Sequence, residues 1–396
     1  MGKNAKRGRV NIIGGGPAGL MAAEVLAPHW EVHLYEKGKA VGRKFLVAGK
    51  GGFNLTNHAT GTALESVYHP VDLLHSVLRA FDSQRLREWL AGLGIPTFVG
   101  SSGRVFPQRG IKPIAVLQAW LRRLQDLEVQ FHLQHRFVGL TDDWQAQLQL
   151  SDGTVQVPMA NYTVFALGGA SWSVTGSTGE WLDHFGRRGI PTRPFAPSNC
   201  GVEIDWPTAL RQHHAGKPLK NIALTAGTYR QAGEASLTDY GLEGNAVYPL
   251  IRPLRDHLAQ ASTAELRLDL KPQNTLGQLH AKIADKAPRN YAKALRLDAA
   301  ALALVKSSST KAVFLDPSQL CRHLKNIPLT VRALRPTEEA ISTVGGIDPA
   351  ALHLNFSLRA CERIFTIGEM VDWDAPTGGF LLQGCLSMGY SMRQLR

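Results

Sequence analysis

Residues 10–36, VNIIGGGPAGLMAAEVLAPHWEVHLYE, constrain this chain more than any other stretch, because few backbone arrangements can accommodate them. The apolar run at 10–13 reads as a strand buried on both faces, and Gly14-x-Gly16-x-x-Gly19 follows it without a gap. Each glycine answers a separate steric demand. Gly14 permits the tight turn, Gly16 lets the backbone approach a pyrophosphate, and Gly19 lets the following helix pack closely on the strand. That helix, continued by residues 20–26, aims its free N–H groups and positive dipole end at phosphate. A second strand at 31–35 ends in Glu36, placed to accept hydrogen bonds from the hydroxyls of an unphosphorylated ribose. The unit predicts a dinucleotide site, with FAD and NAD both open.

At 396 residues the chain exceeds what one hydrophobic core usually supports, so two or three domains are expected. A hydrophobic content of 44% with 39 glycines suits an α/β protein, and no run approaches the roughly 18 apolar residues of a membrane span. A cytoplasmic location and no membrane partner are therefore expected. The basic start MGKNAKRGR looks like the head of an export leader, but the stretch behind it holds the nucleotide turn and Pro17, so no leader is expected. Cys200, Cys321, Cys361 and Cys385 are scattered without metal-ligand spacing, and the 14 histidines form no ligand pattern, so no metal is expected. His213-His214 reads as a solvated pair in a polar loop. The net charge of +12 suits an acidic partner such as nucleic acid, and residues 196–340 carry it most densely, with 19 Lys/Arg against 13 Asp/Glu.

After Glu36, two glycine clusters enclose Arg43, Lys44 and Lys50, whose cations and amides suit phosphates or an anionic substrate. Residues 70–93 predict two helices, and 114–127 a third. Alternation then switches to period two, so that VQFHLQ, FVGL, AQLQLSDGT and VQVPM read as an antiparallel meander, with Trp120 and Trp144 as packing residues. The strand at 162–167 runs into Gly168-Gly169 and the small, hydroxylated GSTGE stretch, which brings a second backbone turn to the same sheet edge. Prolines at 191, 194 and 197 mark a boundary. Residues 200–250 alternate as strands, while 272–335 read as helical and basic, most densely at 281–296. A last strand at 364–367 meets Gly368-Glu369, which places a carboxylate for ribityl or ribose hydroxyls. Gly378-Gly379 then opens a final helix whose N-terminus could face the pyrimidine end of a flavin.

Taken together, VNIIGGGPAGL, Glu36, VGRKFLVAGKGGFNLTN, VFALGGASWSVTGSTGE, LTDYGLEGNAVY and TIGEMVDWDAPTGGFLLQGCLSMG resemble the BaiN/RdsA (YhiN-like) family of NAD(P)/FAD-dependent oxidoreductases, in its PP-type uncharacterised flavoprotein branch. The resemblance implies an α/β fold: a discontinuous, glutathione-reductase-type FAD-binding Rossmann domain with inserted β-barrel-like and helical domains. The boundaries expected are 1–195 and 338–396 for the FAD domain, 196–265 for the β domain and 266–337 for the basic helical domain. It also implies FAD as cofactor and NAD(P)H as transient electron donor. FAD contacts then fall on Gly14, Gly16, Pro17, Ala18, Gly19, Glu36, Lys37, Arg43, Gly168, Gly169, Glu369, Gly378 and Gly379. Relatives often have Arg-Cys-Asn where this chain has Gly52-Phe53-Asn54, so a role for that thiol cannot apply here.

The function expected from these readings is reduction of an activated carbon–carbon double bond. A uridine in ribosomal RNA is the leading substrate, suggested by the basic insertion, the tail Lys3, Lys6, Arg7 and Arg9, and the family. The alternatives are a flavoprotein dehydrogenase or oxidase of a small molecule, and a non-enzymatic RNA-associated protein that keeps FAD as structure. Cys385, Tyr240 and His58 are the proton-donor candidates, with Tyr240 and Asn245 on a loop expected to face the flavin. The oligomeric state is not legible.

Overall fold

The computed structural model describes residues 6–47, 52–100 and 102–395. The expected contacts of Lys3 and Lys50 lie outside the described residues. The chain forms two units, one made of the residues up to Ala196 and from Ser342 onward, the other of Pro197–Ile341.

The first unit is built on a six-stranded sheet in the order Ser357–Leu358, Cys361–Thr366, Tyr162–Phe165, Arg9–Ile13, Glu31–Glu36, Gln130–Leu133. All neighbours pair in parallel except the antiparallel hairpin at 357–366. Arg9–Ile13 is internal, hydrogen-bonded on both edges, which is why Val10, Ile12 and Ile13 must all be apolar and are almost fully buried. The helix Pro17–Leu26 starts with proline at its first turn, where the missing N–H costs nothing. Its small residues let the last helix, Phe380–Ser391, come close. A Cβ on Gly389 would sit 2.4 Å from the Ala18 carbonyl oxygen and 2.8 Å from Met21 Cβ. Trp120 is fully buried, donating to Glu24, and Trp144 packs under the Arg188 guanidinium, so both are packing residues.

The strand Gln130–Leu133 does not belong to the meander expected from its alternation. It pairs in parallel with Glu31–Glu36, His33 opposite Gln130 and Glu36 opposite Leu133. The helix Pro113–Asp126 precedes it and returns the chain to the starting end of the sheet, as a parallel partner requires. Only Arg136–Leu140, Ala146–Gln149 and Val155–Gln156 form the meander.

The second unit is a closed barrel in the order Val202–Ile204, Gly241–Glu243, Tyr229–Leu237, Pro218–Ala226, Ala264–Asp269, Ile327–Leu334. Helices from Leu276 to Lys325 lie in the chain between its last two strands. The reading of 272–335 as helical therefore fails at its end. Ile327, Leu329 and Val331 alternate inward, and the strand closes the barrel against Ala264–Asp269 and Val202–Ile204. The expected division at 265 does not separate two bodies, because barrel and helices share one hydrophobic cluster. His213 and His214 end the helix Thr208–His214 rather than lying in a loop.

Candidate functional site

A cleft of about 1030 Å³, open to solvent, lies at the carboxyl ends of the parallel strands in the first unit, where open α/β sheets bind ligands. Gly14 turns the chain at φ +113°, and a Cβ there would lie 2.3 Å from the Ala166 carbonyl oxygen. At Gly16 nothing lies within 4 Å of a built Cβ, so that face opens onto the cleft. Pro17 and Ala18 continue the lining. Glu36 ties the glycine turn to the second strand. One carboxylate oxygen accepts the Gly15 N–H at 2.9 Å and the other the Gly38 N–H at 2.7 Å, which leaves lone pairs on each for hydroxyl donors.

Two cations cross the cleft to the turn around Ser173–Thr175. Arg43 donates to the Val174 carbonyl at 2.8 Å, and Lys37 to the Thr178 hydroxyl at 3.4 Å. Burial lowers the Lys37 pKa from its usual value, against the opposing pull of Glu180 and Glu36. Gly168 lines the cleft at φ +76°, its carbonyl accepting the Trp181 indole N–H at 2.9 Å. From the far end of the chain, Glu369 enters the lining with its carboxylate 2.8 Å from the Lys44 ammonium, which also donates to the Ser171 hydroxyl at 2.8 Å. Cys385 of the last helix lines the same cleft. Burial first, and the Glu369 charge second, push its thiol pKa far above the usual value.

Nine of the thirteen expected contacts thus line one cleft: Gly14, Gly16, Pro17, Ala18, Glu36, Lys37, Arg43, Gly168 and Glu369. The other four are not among the residues lining it, and three of them are closely packed. A Cβ on Gly19 would meet the Gly14 carbonyl oxygen at 2.1 Å, and one on Gly169 the Thr343 hydroxyl at 2.3 Å. Gly378 and Gly379 adopt positive φ, and a Cβ on Gly379 would overlap the Thr56 backbone at 2.4 Å. Gly379, just before the last helix, is therefore packed against Thr56, and neither it nor Gly378 is among the residues lining the cleft. Of the proton-donor candidates, only Cys385 lines the cleft. His58 is exposed beside the Gly103 carbonyl, and Tyr240 lies in the second unit. Its hydroxyl donates to Glu243 at 2.6 Å under the Arg335 guanidinium, and burial and the hydrogen bond to Glu243 raise its pKa. Lys6 donates to the Ala27 carbonyl and Arg9 to Asn11 and Tyr35, so those tail cations are bound to the fold.

The sequence reading passed over Gly15 and offered Lys44 only as a loop cation for phosphates or an anionic substrate, whereas both line the cleft. It also missed His135 and Arg136, which line the cleft because Gln130–Leu133 joins the main sheet. Among the described residues no group of three or more His, Cys, Asp or Glu could hold a metal ion, and no helix is long and apolar enough to cross a membrane.

Residues 8–394 match the family described as HI0933-like protein Rossmann domain. The chain belongs to the HI0933-like family. As an HI0933-like protein it falls among the BaiN/YhiN-like FAD-dependent oxidoreductases, with the Rossmann-type FAD-binding domain that the resemblance implied. A curated relative of this HI0933-like chain is the 3-dehydro-bile acid delta(4,6)-reductase of Clostridium scindens. It is 24% identical over 404 residues, covering 96% of this chain and 97% of that protein. Two solved structures share the fold. The 3-ketosteroid delta1-dehydrogenase of Sterolibacterium denitrificans matches with TM-score 0.53 at 12% identity, over 98% of this chain and 99% of that one. A flavocytochrome c3 fumarate reductase matches with TM-score 0.51 at 14% identity, over 98% and 78%.

Proposed function

We propose that this chain holds FAD in the cleft and uses it to reduce a carbon–carbon double bond conjugated to a carbonyl in a small apolar molecule of steroid or bile-acid type, with NAD(P)H as electron donor. The observation that carries the reading is the end-to-end match to a relative named for a bile-acid reductase, on a chain whose N-terminal and C-terminal segments line one cleft. When bound, the flavin would supply hydride to one alkene carbon, and solvent the proton that the other carbon takes up. The chain's residues do the rest. The Gly14–Gly16 turn and the helix behind it receive the pyrophosphate through backbone N–H groups and dipole. Glu36 accepts ribose hydroxyls, while Lys37 and Arg43 hold the turn at 173–178 across the cleft and offset phosphate charge. Glu369 accepts a hydroxyl of the flavin's sugar-alcohol chain, with Lys44 balancing its charge. Cys385 keeps its proton on Sγ, as its raised pKa requires.

The uridine reading rests on the net charge of +12 and on the family resemblance, whereas the relative's name supports the small-molecule alternative. Anaerobic titration with NADH and NADPH, followed by a 3-oxo steroid carrying a conjugated double bond, tests the proposal. Bleaching of the flavin by one nucleotide and its reoxidation by the steroid are expected. Flavin that neither nucleotide reduces, or that the steroid cannot reoxidise, counts against it. Loss of a dihydrouridine from the ribosomal RNA of a deletion strain would reverse the order of the two readings.

A further inference from the structure

The second unit contains a basic hollow of about 880 Å³, open to solvent and sharing no lining residue with the flavin cleft, that three irregular backbone segments bring together. The first is a bulge in Pro218–Ala226. Pairing with Tyr229–Leu237 shifts register between Leu219 and Ile222, and Asn221 takes φ +52°, which puts Lys220 and Asn221 at the hollow. The second is the turn after Ala264–Asp269, closed by the Asn274 N–H on the Lys271 carbonyl at 3.0 Å and braced by the Lys325 ammonium on the same oxygen at 2.9 Å. The third is the bend before the helix Ala299–Ser308, where Arg296 takes φ +50° and Asp298 caps the helix.

These segments place Lys220, Lys271 and Arg296 around one space, with Gln273 and Asn274 as neutral donors. The single carboxylate in the lining, Asp298, already accepts the Ala301 N–H at 2.8 Å. Lys271 is half-buried and spends one of its three protons on the Arg296 carbonyl at 2.9 Å. Burial, Lys282 and Arg296 all disfavour its charge, and Asp298 favours it. A dianion in the hollow would relieve that repulsion and accept from the Lys271 ammonium, which its bond to the Arg296 carbonyl already holds in place.

We propose that this hollow is a second ligand site, which binds a small phosphorylated molecule through its phosphoryl oxygens. Neither the flavin chemistry nor the relatives assign anything to it.

The test is isothermal titration of the FAD-loaded protein with inorganic phosphate and with pyrophosphate, against sodium chloride of equal ionic strength. FAD absorbance is read before and after, to show that the Gly14–Gly16 turn stays occupied. Saturable heat at one site is expected, stronger for pyrophosphate. Lys220→Gln, an exposed change that leaves the barrel core untouched, should weaken it by about fivefold, and Lys271→Gln by at least as much. Lys271→Gln is read only with an unchanged circular dichroism spectrum and FAD content, and Lys220→Gln serves alone if those change. Heat that does not saturate, that sodium chloride reproduces, or that Lys220→Gln leaves unaltered overturns the proposal.

Discussion

At the scale of single residues, the cleft is a set of charges whose partners come from distant parts of the chain. Lys44 and Glu369 are 325 positions apart, yet their charged atoms are 2.8 Å apart, with the carboxylate side chain only 13% exposed. Lys44→Met should leave that carboxylate short of a partner and lower unfolding free energy by about 1–3 kcal/mol. Adding Glu369→Gln should recover about 1 kcal/mol of that loss in urea unfolding. Strict additivity would show that the pair is not coupled. His132 supports a pH prediction. Burial and the neighbouring His33 hold its pKa down at about 4, against 6.5 for a free histidine. A depressed histidine pKa means that the unfolded chain takes up the proton first. The stability it contributes is therefore present above pH 6.5 and lost as pH falls toward 4. His132→Gln should flatten unfolding free energy across that interval. An unchanged slope would place the titration elsewhere. Gly14, Gly16 and Glu36 were legible as residues of the cleft because their roles are local. Lys44 was legible only as a loop cation, because its partner is fixed by folding.

At the scale of elements, helices and turns were readable where the signal is short-range, and strands only in part. Alternation in VQFHLQ identified a strand but not its partner, since period two is the same in a meander and at the edge of a parallel sheet. Ile327–Leu334 carried the same alternation and was hidden by the basic helices before it. The last helix shows how glycine can serve packing rather than ligand. Gly379→Ala combines a strained φ of +97° with a Cβ 2.4 Å from Thr56 backbone, and should cost about 2 kcal/mol or more in chemical denaturation. Gly389→Ala should cost about 1–3 kcal/mol by forcing the last helix off Pro17–Leu26. Wild-type stability in either variant would mean that the helix shifts freely.

At the scale of the whole molecule, the two units carry separate hydrophobic clusters, and the flavin cleft belongs to only one of them. FAD at about a hundredfold over its Kd should therefore stabilise the first unit by about 2.7 kcal/mol and move its calorimetric transition upward. A scan in which FAD moves no transition would contradict binding to the folded cleft. By itself, the sequence determined a dinucleotide-binding α/β unit, because the turn, the helix start and the terminal acid all lie within residues 10–36, while FAD and the two-part nucleotide domain were implied by the family resemblance of motifs near both ends. Tertiary structure alone decided that 130–133 extends the sheet, that 327–334 closes the barrel, and that Gly379 packs on Thr56 while Cys385 lines the cleft. Each of these depends on which distant segment supplies hydrogen-bond partners or steric walls. Local propensity carries no record of that choice.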